Sequence, residues 1–128
     1  MKVLSRTQNG QIFLCNACLL LHVEFKNLSF NFTEEQFNNF IQYIQNLNGD
    51  QIEQQNNFLP YQRKIIIPIG HQSFSILINK EELNELIQLF VNVNLDLAKN
   101  ALEPSVHSDQ RFYKELTLND LNFTQYFN

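Results

Sequence analysis

The chain has 128 residues, 44% apolar and 17% charged, with a formal net charge of −4. This length suits one compact domain, and so much apolar content with so little charge excludes a disordered chain. The basic side chains are scattered rather than clustered, so we expect no nucleic-acid partner. The segment from Met1 to Arg6 starts no apolar run long enough for a signal peptide or a membrane span, and we expect a cytoplasmic protein without a membrane partner.

The first predicted element is a β-hairpin within residues 1–18. The pair Asn9-Gly10 separates Val3-Leu4 from Ile12-Phe13-Leu14. Asn-Gly is typical of a two-residue hairpin turn in which both residues have positive φ. The sequence therefore predicts that Asn9 and Gly10 form the turn.

A ββα unit is predicted over residues 19–48. Its strands span Leu19 to Phe25 and Leu28 to Phe32, with a turn at Lys26-Asn27, and Thr33-Glu34-Glu35-Gln36 forms a capping box before a helix. That turn places one set of apolar side chains on the face toward the helices: Leu19, Leu21, Val23, Phe25, Leu28, Phe30 and Phe32.

A second ββα unit is predicted over residues 63–103, after a connector over 49–62. Asn79-Lys80-Glu81-Glu82 is its capping box. A shift of 46 residues aligns Phe30 with Ile76 and Leu21 with Ile67, which indicates a tandem repeat. The alternative is that any two ββα units with capping boxes look alike. We expect the second helix to reach about residue 100, and the aromatic segment 104–128 to pack on the rest of the chain.

The predicted architecture is thus a single α+β domain over residues 1–128. It has an N-terminal hairpin and a tandem ββα repeat, which form one antiparallel sheet with two helices on one face. Leu20, Ile66 and Leu77 project from the other face beside polar residues. A monomer rarely leaves such a patch in water, so we expect the aromatic tail or a second copy in a homodimer to cover it. Pro68 cannot donate to a ladder, which favours an edge strand.

Cys15-Asn16-Ala17-Cys18 is the sequence's one motif with a chemical mechanism. Its spacing lets two thiolates bind one Zn²⁺ while the turn's amides point toward them. Buried structural thiols and a thiol-redox pair are the alternatives. Four residues of extended strand span about 13 Å, so we expect His22 to be a surface residue opposite Asn31 rather than a ligand. Further ligands are then expected from His107, from His71, or from a second Cys pair in a partner copy.

The sequence offers little for catalysis. Its three glycines, Gly10, Gly49 and Gly70, cannot build a phosphate-binding loop, and its acidic clusters precede helices, where capping explains them. We therefore expect no enzyme and no required cofactor. The function favoured is a non-enzymatic binding or protein-interaction module that self-associates. The alternative is a small Zn²⁺-binding or thiol-redox protein that uses Cys15 and Cys18.

One family resemblance rests on these same motifs. Asn9-Gly10-Gln11-Ile12 leads to Cys15 and Cys18, then to Phe25-Lys26-Asn27-Leu28 and a helix with Phe37 and Phe40. This arrangement resembles a small bacterial family of unknown function, whose members carry a C-x-x-C before an apolar-x-F-x-N hairpin. The likeness covers residues 8–90 and implies no activity.

Overall fold

A computed structural model of the protein describes residues 1–95. The end of the predicted second unit and the aromatic tail, residues 96–128, lie outside the described residues. None of the helices within residues 1–95 is long and apolar enough to cross a membrane. In chain order, the elements are β1 (Lys2–Thr7), β2 (Gly10–Leu14), β3 (Leu21–Phe25), β4 (Leu28–Phe32), α1 (Glu34–Gln45), α2 (Gly49–Gln55), β5 (Ile65–Ile69), β6 (His71–Ile78) and α3 (Lys80–Val91).

The strands pair antiparallel in two separate sheets. β1, β2, β3 and β4 form a four-stranded sheet in that order, and β5 pairs with β6 in a two-stranded sheet. The predicted α+β class is confirmed, but the single sheet that we expected is divided into two. Pro68 lies in β5, which is an edge of the second sheet, as the missing N–H of proline favours.

The N-terminal hairpin forms with a different turn from the predicted one. Its turn residues are Gln8 and Asn9, while Gly10 already belongs to β2, and neither Asn9 nor Gly10 has a positive φ. The requirement for glycine comes from packing, because a Cβ at Gly10 would lie 2.8 Å from the Glu24 carbonyl oxygen of β3 and 2.8 Å from Leu89 Cδ2 of α3. The hairpin is therefore confirmed and the Asn-Gly turn is wrong.

The β3–β4 hairpin has the predicted turn and register. Phe25 pairs with Leu28 and Val23 with Phe30, so Lys26 and Asn27 form the turn. Lys26 has a φ of +54°, and a positive φ in a two-residue turn matches the twist of the flanking strands.

The core lies between one face of the four-stranded sheet, the helices and the second hairpin. Leu19, which we expected on this face, is 63% exposed, because β3 begins only at Leu21. The sheet contributes Ile12, Leu14, Leu21, Val23, Phe25, Phe30 and Phe32 to the core, and the rest of the chain contributes Phe37, Phe40, Ile44, Ile65, Ile67, Ile76, Ile78, Leu83, Leu86, Leu89 and Phe90.

Both predicted capping boxes are present. The Thr33 hydroxyl accepts from the Gln36 N–H, and the Gln36 side chain accepts from the Thr33 N–H. Asn79 and Glu82 do the same at the start of α3. These reciprocal bonds satisfy N–H groups that a helix cannot pair internally, so they fix where α1 and α3 begin.

The helices differ from the predictions in two respects: one helix was not predicted, and another ends earlier than expected. The connector over 49–62 contains α2, which Asn48 caps by accepting from the Gln51 N–H at 3.1 Å. α2 has only seven residues and none of them is buried, so its sequence shows no apolar periodicity that would predict a helix. α3 ends at Val91 with Asn92 as its C-cap, so the predicted extension to residue 100 is wrong. The apolar spacing continued past Val91, but the Asn92 N–H bonds back to Gln88 and Phe90 and closes the last turn.

The two ββα units are compatible with a repeat, but their first strands differ in register. Phe30 and Ile76 are both buried, as the shift of 46 residues predicts. However, Ile65 pairs with Ile78 as Leu21 pairs with Phe32, whereas the shift aligned Leu19 with Ile65. β5 therefore lies two residues away from the predicted match, and common descent of the two units stays a prediction.

Candidate metal centre

The loop from residue 15 to residue 20 joins β2 to β3, and the Leu14–Leu21 pair closes it. The Cys15 N–H donates to the Leu20 carbonyl at 3.1 Å, and the Leu19 N–H donates to the Cys15 carbonyl at 3.0 Å. Leu19 has a φ of +57°, a left-handed conformation that costs a non-glycine residue about 1–2 kcal/mol. The chain therefore passes through Leu19 in a backbone conformation that leucine disfavours.

The pairing register places a row of side chains on the sheet face that points away from the core. Ile12 and Leu14 face the core, so alternation puts Phe13 on the opposite face. His22 pairs with Phe13 on one side and with Asn31 on the other. The row Phe13–His22–Asn31 thus crosses three strands directly beside the loop that carries the two thiols.

Cys15, Cys18 and His22 come together at the end of this row. Their two sulfur atoms and one imidazole nitrogen lie within 4.8 Å of one another. Cys18 Sγ is 3.4 Å from His22 Nε2, and the Cys18 N–H donates to Cys15 Sγ at 3.4 Å. The amide of the turn points toward the first sulfur, as the C-x-x-C spacing predicted.

The orientation of His22 is fixed from both sides. His22 Nδ1 lies 2.7 Å from Asn31 Oδ1, and an amide oxygen only accepts, so Nδ1 carries the proton and Nε2 presents its lone pair on the side of Cys18. The Phe13 ring stacks on the imidazole at 5.0 Å between centroids. Burial lowers the pKa of His22 and outweighs the opposing bond to Asn31, so the ring is neutral near pH 7.

The two thiols have opposite pKa shifts. Burial raises the pKa of Cys15, but hydrogen bonds from the Cys18 side chain and from the N–H groups of Cys18 and Ala17 outweigh it, so the net pKa is below the ordinary 9.0. Burial, together with the bond to Cys15, raises the pKa of Cys18 to about 12. Of the two thiols, Cys15 therefore loses its proton at the lower pH.

The distance argument that excluded His22 as a ligand is wrong. The separation of about 13 Å assumed an extended chain from Cys18 to His22, whereas residues up to Leu20 belong to the loop. Only 7% of His22 is exposed, so it is not a surface residue either, although its position opposite Asn31 is confirmed. The missed signal was a hairpin pairing of Leu14 with Leu21, which would have placed His22 beside the thiols.

Of the other predicted site residues, the two histidines are not described, and the three apolar residues of the predicted interface are not metal-binding side chains. His107 lies outside the described residues, and the side chain of His71, the first residue of β6, is likewise not described. Leu20, predicted on the outer face of the sheet, is buried with 8% of its surface exposed and lies in the loop before β3. Ile66 and Leu77 lie half-buried on different strands of the second hairpin.

An α+β fold with a Cys-Cys-His cluster beside its four-stranded sheet defines a small domain with a candidate site for a soft or borderline metal. The chain belongs to the family described as "Family of unknown function (DUF6686)", which matches residues 1–108. The resemblance to a family of unknown function is thereby confirmed. No curated protein and no solved structure matches the chain.

Proposed function

We propose that this protein binds one Zn²⁺ ion through Cys15, Cys18 and His22. The observation that carries the proposal is the convergence of two sulfur atoms and one imidazole nitrogen within 4.8 Å. Thiolate and imidazole are the ligands that Zn²⁺ takes most often in proteins. Both of the predicted cysteine ligands belong to the set, and His22 replaces the histidines that the sequence favoured.

The spacing of the donors suits a tetrahedral ion. With Zn–S bonds of about 2.3 Å and a Zn–N bond of about 2.0 Å, sulfur and nitrogen ligands stand about 3.5 Å apart. Cys18 Sγ and His22 Nε2 stand 3.4 Å apart. The pair therefore needs almost no movement to share an ion.

Second-shell contacts add a further argument. Metal-binding histidines usually donate their other ring N–H to a carbonyl or carboxylate oxygen, which fixes the tautomer and strengthens the ligand. Asn31 Oδ1 lies where it serves that purpose, 2.7 Å from His22 Nδ1.

The thiol-redox alternative uses the same cysteines but gives His22 no necessary role. Reactive C-x-x-C pairs commonly have their thiol pKa lowered by a helix N-terminus, whereas this loop leads into β3. Substitution of His22 separates the two functions, because a metal site loses a ligand while a redox pair keeps both sulfurs.

Zinc titration of the full chain with a competing chromophoric chelator tests the proposal. We expect about one zinc per chain, loss of binding in Cys15→Ser, Cys18→Ser and His22→Gln, and retained binding in the matched controls His71→Gln and His107→Gln. Affinity should fall steeply below neutral pH, because protons compete for both thiolates and for the imidazole. Stoichiometry below a tenth of an equivalent in the native protein contradicts the proposal.

Self-association belongs to a separate proposal. Leu20 is buried within the chain, so a homodimer would rest on Ile66 and Leu77 and on exposed aromatic residues such as Phe58, which is 78% exposed. Light scattering on the full chain and on Ile66→Asp tests it. A dimeric mass that the substitution halves supports this interface, and a monomeric mass for both chains contradicts it.

A further inference from the structure

A cleft of about 300 Å³ opens between the two sheets. The β3–β4 turn and Leu28 of β4 line one side of it, and residues 75–78 of β6 line the other. β4 is the last strand of the first sheet and β6 belongs to the second, so within residues 1–95 no β-ladder joins the two sides. A cleft of this volume is at the lower end of the range for small-molecule sites.

Much of the lining of this cleft is apolar. Phe25, Ile76 and Ile78 line it and are buried. Leu28 and Ile69 also line it, and both are half-buried and pack against the core. An apolar group that enters the cleft removes part of its surface from water, which favours binding. The lining therefore suits a ligand with an apolar body.

Two cations and one carboxylate line the same cleft. Lys26 Nζ and Arg63 Nε each lie 2.6 Å from a different carboxylate oxygen of Glu82. Arg63 makes this contact through Nε alone, so its terminal N–H groups have no partner in the part of the chain that the structure describes. Both cationic side chains are accessible, with 38% of Lys26 and 46% of Arg63 exposed. The cleft therefore has one positive charge in excess and unused hydrogen-bond donors.

These two properties together define a class of ligand. The planar guanidinium group matches the geometry of a carboxylate. An inorganic anion would leave the apolar lining in water, and an uncharged apolar molecule would leave the donors of Arg63 unused. We propose that the cleft binds a small organic carboxylate with a compact aliphatic body, whose charged end Arg63 and Lys26 hold. This inference does not depend on the zinc function, because Phe25 and His22 lie near opposite ends of β3.

A nuclear magnetic resonance titration of the isotope-labelled full chain at low ionic strength tests the proposal. Isocaproate is the probe, isocaproamide is the uncharged control of similar shape, and acetate is the control that keeps the carboxylate without the aliphatic body. We expect isocaproate to shift the backbone amides of Lys26 and of residues 75–78 saturably, with a Kd on the order of 1 mM. Both controls should bind at least about 10-fold more weakly. Equal binding of either control, or shifts that do not localise to the cleft, would overturn the proposal.

Substitutions test the role of Arg63 separately. Arg63→Gln should weaken isocaproate binding by about 10-fold or more, and Arg63→Lys, which keeps the charge without the planar group, should bind with intermediate affinity. Lys80→Gln is the matched control, because Lys80 is also exposed and paired with a carboxylate, at 2.6 Å from Asp50, but does not line the cleft. It should change the affinity by less than about 2-fold. Equal losses in Arg63→Gln and Lys80→Gln would overturn the site, since general charge attraction would then explain the binding. If Arg63→Gln does not fold, the comparison of isocaproate with isocaproamide on the native protein decides the proposal.

Discussion

The two faces of the four-stranded sheet differ in kind although the same strands build both. On one face Phe32 is fully buried and packs against Phe37 and Phe90, at 6.5 Å and 6.2 Å between ring centroids. On the other face, His22 stacks on Phe13 and bonds to Asn31. Alternation along each strand separates a packed aromatic core from a polar row that ends at two thiols.

This separation implies that stability and metal chemistry respond to different substitutions. Phe32 and Asn31 are neighbours in β4, yet Phe32 contributes to the core and Asn31 forms a hydrogen bond with His22 on the other face. Changes on the core face should lower the free energy of unfolding with or without metal. Changes on the other face should act mainly through the bound ion.

The largest effect is expected on the core face. Phe32→Ala removes a fully buried ring and should lower the free energy of unfolding by about 3–5 kcal/mol, through lost burial and a cavity. Urea denaturation in the presence of EDTA measures it. Phe74→Ala, at a side chain that is 66% exposed, is the matched control and should change stability by less than about 1 kcal/mol. Equal losses in both variants would contradict the assignment of the core.

On the other face, a substitution should lower stability by a comparable amount only when zinc is present. Because a ligand stabilises the folded state in proportion to its binding, Cys15→Ser should remove about 3–4 kcal/mol of stabilisation when zinc exceeds its Kd by 100-fold to 1,000-fold. With EDTA present, native protein and variant should melt at similar temperatures. Calorimetry with zinc and with EDTA makes the comparison. A variant destabilised equally under both conditions would assign Cys15 to packing rather than to metal binding.

A smaller effect is expected from the residue that orients His22. Asn31→Ala removes the acceptor at 2.7 Å from His22 Nδ1 and should weaken zinc binding by about 10-fold to 100-fold. Asn31→Asp keeps an acceptor and should bind at least as tightly as the Ala variant. Ser29→Ala, on the same strand and exposed, is the control. Unchanged affinity in Asn31→Ala would show that the bond does not support a ligand.

Acid should lower the stability of the fold in part through the carboxylate of Glu82. Glu82 is buried, but Arg63 and Lys26, each with a nitrogen at 2.6 Å from one of its carboxylate oxygens, bring its pKa down to about 2 from the ordinary 4.5. Because the pKa of Glu82 is lower in the folded than in the unfolded state, its ionised carboxylate stabilises the fold at pH values above about 4.5. This stabilisation is lost as the pH falls from about 4.5 toward 2.

Glu82→Gln should therefore cost about 1–2 kcal/mol at pH 6 and progressively less toward pH 2. Urea denaturation in EDTA across this range isolates the effect from the metal ligands. Glu81→Gln, which is next to it and exposed, should show no such trend. A cost of Glu82→Gln that stays constant with pH would contradict the depressed pKa.

Local patterns predicted most of the core face and little of the metal centre. The capping boxes and the register of Phe25 with Leu28 follow from side chains close in sequence, and short-range rules describe such contacts well. The position of His22 depends on Leu19 in a left-handed conformation. Leucine rarely adopts that conformation, so no local preference reveals the reversal that brings His22 to Cys18.

Local sequence patterns also failed to predict the turn residues near Gly10 and the end of α3. Asn9-Gly10 predicted a hairpin correctly and its turn residues wrongly. Gly10 is required instead by the close approach of the Glu24 carbonyl in β3 and of Leu89 in α3. The apolar period beyond Val91 continued in sequence although the helix ends there. The first error arises where contacts with other segments decide which residue must be glycine, and the second where Asn92 closes the last turn of α3 by backbone bonds to Gln88 and Phe90.

The central claim is that Cys15, Cys18 and His22 together bind one zinc ion. X-ray absorption at the zinc edge, on the full chain loaded with one equivalent, measures the ligand atoms directly. The account predicts two sulfur atoms at about 2.3 Å and nitrogen or oxygen at about 2.0 Å, with the imidazole scattering lost in His22→Gln. A shell without sulfur, or an unchanged imidazole signal in His22→Gln, would contradict it.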